Sequence, residues 1–128
     1  MQSVEKFLKI LSKGTISLTT YRKSGQEVHT PVWVVNIDER GYVRTSMKAG
    51  KIKRIRNNSD VVVAPCTSNG KITGEKVLAK AVIIEPRKDE YNMINKKFRS
   101  KYKIMYYLIM WKNNLTGVTS AVIRLSPK

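Results

Sequence analysis

Arg44, Thr45 and Ser46 stand only a few residues before Lys51, Lys53 and Arg54. Positive charge together with hydroxyl or backbone donors can cover the oxygens of a phosphate without leaving a buried charge unpaired. This clustering of residue types therefore suits a phosphorylated ligand. The competing reading is that Thr45 and Ser46 end a strand and the cations form a solvated helical face. Any redox chemistry at such a site would come from a bound cofactor, because these side chains carry no equivalent electron carrier.

Other chemistries have less to build on. His29 is the only histidine, which removes His-rich metal sites and leaves a packing or hydrogen-bonding role as the expectation. Cys66 is the only cysteine, so there is no intrachain disulfide and no cysteine zinc site. It lacks a sequence-local activating partner and is expected to be structural, in a reducing compartment. Asp38 and Glu39 read as a turn and Asp60 as a strand start. Nothing resembles the paired carboxylates of glycosidic chemistry, a Walker phosphate loop or a Rossmann glycine fingerprint. Trp33 and Trp111 could each line a planar ligand, although packing is the commoner use of tryptophan.

The elements that must position the cations are legible on both sides. The valine-rich run from Val28 to Ile37 reads as a strand, and Gly41 to Thr45 as a second that pairs with it across Asp38 to Gly41. Gly50 then interrupts before a short helix from Lys51 to Asn57, with Ile52 and Ile55 turned inward. Upstream, Val4, Phe7, Leu8 and Leu11 give Ser3 to Ser12 the spacing of an amphipathic helix covering one end of a barrel. Thr15 to Arg22 is the first strand and Lys23 to Gln26 a turn. Downstream, Asp60 to Cys66 and Lys76 to Glu85 are strands, the latter with Val77, Ala79, Ala81 and Ile83 on one side. Asp89 to Tyr102 is a helix with Tyr91, Ile94, Phe98 and Met105 as its apolar stripe. Lys103 to Trp111 favours helix over a buried strand, Asn113 to Gly117 is a break, and Thr119 to Leu125 closes the sheet. Strands alternating with turns and a short insert point to a compact barrel, in which closure protects sticky edges.

The chain of 128 residues fits a single domain spanning 1–128. Its 25 Lys and Arg against 9 Asp and Glu give a formal charge of +16, a field that attracts nucleic acid, anionic membrane surface or a polyanionic small ligand. The cations run from Lys6 to Lys128, so they are not a basic tail. Nucleic acid is the runner-up partner, with Tyr21, Trp33, Tyr42 and Tyr106 as stacking surfaces. No apolar run approaches the roughly 20 residues of a membrane span. Lys6, Lys9 and Lys13 interrupt the first apolar segment, which is unlike a secretory signal. The expectation is a cytoplasmic protein with no membrane partner.

The runs HTPVWVV (His29 to Val35), YVRTSMKAGKIKRIRNNSDVVVAPC (Tyr42 to Cys66) and GKITG (Gly70 to Gly74) resemble the pyridoxamine 5'-phosphate oxidase-like split-barrel superfamily. They are particularly similar to its small deazaflavin F420-dependent branch, over a span from Phe7 to the closing strand near Leu125. The resemblance implies a mainly β fold with flanking helices (α+β), a split β-barrel of the FMN-binding type. It also implies a homodimer holding F420 or FMN in a groove at the subunit interface. By the same likeness Thr30, Pro31, Val32 and Trp33 run beside the cofactor ring, and Arg44, Thr45 and Ser46 match the ribityl and phosphate side. Lys51 is the foremost phosphate ligand, with Lys53 and Arg54 beside it. The implied reaction is hydride transfer between F420 and a small organic substrate, without a dedicated catalytic side chain. The shortness of the chain points to the F420 branch over a true vitamin B6 enzyme. An FMN reductase and a cofactor storage or sensing protein are alternatives within the same fold.

Overall fold

The computed structural model describes residues 2–46, 48–84, 88–105, 108 and 120–128. In chain order they form α1 (Gln2–Leu11), β1 (Thr15–Tyr21), β2 (Glu27–Trp33), β3 (Val35–Ile37), β4 (Arg40–Ser46), α2 (Gly50–Asn57), β5 (Asp60–Pro65), β6 (Val77–Ile84), α3 (Lys88–Tyr102) and β7 (Ser120–Pro127). The strands make a single seven-stranded sheet in the order β2-β1-β5-β6-β7-β4-β3, with every pairing antiparallel. The sheet curls so that β2 approaches β4, although four strands separate them in that order.

Alternation along the strands builds the main core. Ile16 and Leu18 of β1, Val43 of β4, Val61 and Val63 of β5, Ala79 and Ala81 of β6, and Ile123 and Leu125 of β7 all turn to one face. Phe7, Ile10 and Leu11 of α1 cover this face together with Ile52 and Ile55 of α2. Each such aliphatic or aromatic side chain contributes about 1.5–3 kcal/mol when fully buried. A smaller second core forms where Ile94 and Phe98 of α3 meet Val35, Ile37 and Val122. Val122 alternates with Ala121 and Ile123, so α3 lies on the opposite face of the sheet.

Val28 to Ile37 is two strands, which corrects the single strand expected from the sequence. β2 pairs with β1, as in Thr30 opposite Leu18, and only Val35 to Ile37 crosses the turn to pair with β4. The chain breaks at Val34 because α3 supplies partners there. The Val34 N–H donates to the Tyr102 hydroxyl at 2.9 Å, and its carbonyl accepts from Lys101 Nζ at 2.6 Å. Between β3 and β4, Asp38 (φ 52°) and Glu39 (φ 66°) are both left-handed, the conformation of a tight type I′ hairpin. Pro31 is tolerated in β2 because β2 is an edge strand.

The apolar stripe of α3 ends sooner than its spacing indicates. Ile94 and Phe98 are buried, but Met105 is 51% exposed. Lys103 takes a left-handed φ of 52°, which ends α3, and Ile104 just beyond it is exposed like Met105. Residues 104–105 and 108 are helical, while Trp111, the rest of the helix expected to reach it, and the break at Asn113 to Gly117 lie outside the described residues.

Lys101 is half-buried and also donates to the Leu11 carbonyl at 3.0 Å. Burial pushes its pKa down from 10.5 to about 8. Across that interval the unfolded chain binds more protons, so this group makes stability rise with pH. Burial pushes Tyr102 the other way, up to about 12, and its contribution is lost only above pH 10, its ordinary value. Denaturation midpoints should therefore rise from pH 8 to pH 10 in the native protein, and rise less in Lys101→Met. Parallel profiles for the two proteins would exclude this role for Lys101.

Candidate functional site

α2 begins at Ala49, an N-cap residue with no side-chain oxygen to offer. The first N–H groups of a helix need partners and carry the positive end of its dipole, which favours an anion. Here the tendency is reinforced by side chains. Lys51 Nζ donates to Thr45 Oγ1 at 3.0 Å, linking α2 to the end of β4. Arg54, one turn on, donates through Nε to Thr20 Oγ1 at 2.6 Å. Its guanidinium folds back over the helix start: a Cβ on Gly50 would come within 2.7 Å of Arg54 Nη1.

These cations are crowded rather than neutralised. Burial and then the neighbouring Arg54 lower the pKa of Lys51, and burial and then Arg22 lower that of Arg54. Among the described residues the ion pairs are Lys6–Glu75, His29–Glu27, Lys80–Asp60 and Lys128–Asp60, and none involves Lys51, Arg54 or Arg22. Two neighbouring positive groups with hydroxyl partners and no carboxylate have the charge and donors that suit an anion.

The structure thus brings Thr45, Lys51 and Arg54 together and separates the other candidates from them. Arg44 alternates to the α3 face of β4, where it donates to the Tyr91 hydroxyl at 2.9 Å and lies 5.4 Å from that ring's centre. Ser46 shares that alternation, and its Oγ accepts the Lys48 N–H at 3.1 Å. Lys53 is exposed, two positions from Lys51 and so on a different side of α2. In β2, Val32 joins the main core and Thr30 shares its face, whereas Pro31 and Trp33 alternate to the other side. One face of the Trp33 indole is already covered by Tyr102, at 4.1 Å between centroids and 3° between planes.

Thr20 and Gly50 belong to the site although their residue types do not advertise it. The available signal for Thr20 was its register, since it shares the inward face of β1 with Ile16 and Leu18. It is completely buried, with its hydroxyl turned to an arginine 34 residues away. His29 has the hydrogen-bonding role expected of it, with Nδ1 2.7 Å from Thr19 Oγ1 and Nε2 3.3 Å from Glu27. Cys66 is a free thiol whose pKa burial raises, in keeping with a structural residue. Asp60 opens β5 and is paired with Lys80 at 2.6 Å and Lys128 at 3.1 Å. Among the described residues no three metal-ligating side chains gather, and no helix is long and apolar enough to cross a membrane.

No protein-family model matches the chain, and no curated protein matches it in sequence. Solved structures do match it. The heme storage protein HutZ of Vibrio cholerae has 14% identity and a TM-score of 0.69, covering 99% of this chain and 89% of its own. General Stress Protein 26 of Bacillus anthracis has 22% identity and a TM-score of 0.61, covering 99% and 90%. A provisionally named pyridoxamine 5'-phosphate oxidase of Listeria innocua has 14% identity and a TM-score of 0.61, covering 98% and 93%. At such identities the likeness is one of fold.

Proposed function

Because this chain has the split-barrel fold of the pyridoxamine 5'-phosphate oxidase-like superfamily, we propose that it is an oxidoreductase whose cofactor phosphate sits between Thr45, Lys51 and Arg54. The observation that carries this reading is the convergence of Lys51 and Arg54, each on a threonine hydroxyl, at an α2 start with no side-chain cap. F420 is the favoured cofactor and FMN the alternative, since F420 is the more anionic of the two and the chain carries a formal charge of +16. Either group would supply hydride transfer to or from a small organic substrate. The chain's own residues bind and orient.

In this reading the segment Thr30 to Trp33 lies beside the ring. β2 is a sheet edge, so its outward backbone groups can hydrogen-bond a planar heterocycle, although Pro31 can offer only its carbonyl. Lys53 adds long-range attraction at the mouth, Ser46 shapes the β4–α2 connection by accepting the Lys48 N–H, and Arg44 holds β4 against α3. The active form is a homodimer with the cofactor groove at its interface. Leu78 and Val82 are 59% and 46% exposed on the outer face of β6, with Val62 opposite Leu78, and provide apolar surface for a partner to cover.

Nucleic acid is the weaker reading. Trp33 and Tyr42 pack against the second core, which removes them as free stacking platforms, and Tyr106 lies outside the described residues. Nor does any observation on His29, engaged with Thr19 and Glu27, favour bringing over the heme named for the Vibrio protein. The test is titration of F420 and of FMN into protein freed of small molecules, followed by fluorescence. F420 should bind tighter than FMN. Failure to bind either would sink the reading, and binding without turnover across a substrate panel would favour storage or sensing.

A further inference from the structure

The row of cations does not end at Arg54. Arg22 lies close enough that its charge bears on the Arg54 guanidinium, and Arg22 itself lines a cleft of about 440 Å³ with Tyr21, Lys23, Gly25, Asn57 and Asn58. This cleft opens between the β1–β2 turn and the far end of α2. From Lys51 to Asn57 the helix advances about 9 Å, at about 1.5 Å per residue. Lys51, Arg54 and the Arg22–Lys23 pair therefore succeed one another along one side of the molecule.

We propose that the cleft is a second anion subsite, continuous with the first, which receives the acidic extension of the same ligand molecule. This rests on the reading of the Lys51 site as a phosphate site. It narrows the ligand class to a cofactor that bears a further acid group about 9 Å or more beyond its phosphate, the spacing set by the helix.

The turn is built firmly enough to present charge. Arg22 N–H donates to the Gln26 carbonyl at 2.9 Å, and Gly25 N–H donates to the Arg22 carbonyl at 2.8 Å. Gly25 has a φ of 91°, which closes the turn and leaves Lys23 at its tip. Asn58 Oδ1 accepts the Asp60 N–H at 3.0 Å, which turns the acceptor away from the cleft's ligand and leaves the amide NH2 groups of Asn57 and Asn58 to donate. The negative end of the α2 dipole opposes an anion here, with about half an elementary charge. That is outweighed by the full charges of Arg22 and Lys23, and the Asn58 N–H occupies the Arg54 carbonyl at 2.8 Å.

The test compares F420 stripped of its glutamates with F420 carrying several, on native protein and on the Arg22→Gln/Lys23→Gln double variant. Native protein should hold the tailed form about tenfold tighter or more, and the double variant should lose most of that advantage. The variant's Kd for the stripped form should stay near the native value, which also reports that the variant is folded. Equal affinity of native protein for both forms, or an equal loss for both in the variant, would overturn the second subsite and leave the phosphate site standing. If neither form bound native protein, the phosphate site would fall and the subsite with it.

Discussion

Replacing Lys51 by alanine is expected to weaken F420 binding by about 10- to 100-fold, the equivalent of one charge-assisted hydrogen bond at about 1.5–3 kcal/mol. The melting temperature should hardly move. Lys51 contributes no apolar area to either core, and burial together with Arg54 already disfavours its charged form. Deleting the cation relieves that crowding, and the Thr45 hydroxyl it leaves can rotate to another partner. Loss of binding with retained stability is the signature of a ligand-facing residue, whereas a structural residue would lose both together. An unchanged Kd for Lys51→Ala would remove Lys51 from the site. Lys51→Arg should recover part of the affinity, because it keeps the charge while changing the shape of the donor.

What could be read from the chain, and what could not, follows the distance over which each contact forms. Thr45 and Lys51 are six residues apart, so a strand end followed by a short helix already places them together. The inward set Val77, Ala79 and Ala81 is visible as a period of two, and it does line the main core. Arg54 was visible as a cation, but its anchor is a hydroxyl 34 residues upstream, and only the β1–β5 pairing with α2 laid across it brings the two together. The break at Val34 was hidden for the same reason. Its residue type favours a continuing strand, and the partners that end the strand lie 67 and 68 residues downstream. Arg44 shows the complementary limit: charge clustering groups it with Lys51, while strand alternation puts it on the α3 face with Tyr91.

Tyr102→Ala should have the largest effect on stability, about 3–5 kcal/mol, as for other large aromatic truncations. The ring stacks on Trp33 at 4.1 Å and meets Phe98 at 5.8 Å, so its loss opens a cavity in the second core. The hydroxyl adds a separate contribution. It accepts the Val34 N–H at 2.9 Å and lies 2.7 Å from the Gly14 carbonyl and 2.9 Å from that of Val34, to either of which it can donate its single proton. Tyr102→Phe keeps the rings together and strands the Val34 N–H, which should cost about 1–3 kcal/mol. Urea unfolding should therefore rank native protein above Tyr102→Phe and Tyr102→Ala last. Against a total of about 5–15 kcal/mol, the alanine variant would stand near the edge of folding. The two variants also separate fold from function, since Val34 directly follows the strand proposed to run beside the cofactor ring. If the hydroxyl sets that strand's path, Tyr102→Phe should weaken cofactor binding while the protein remains folded. Native affinity together with a loss of under about 1 kcal/mol in Tyr102→Ala would show that β2 holds its course without α3.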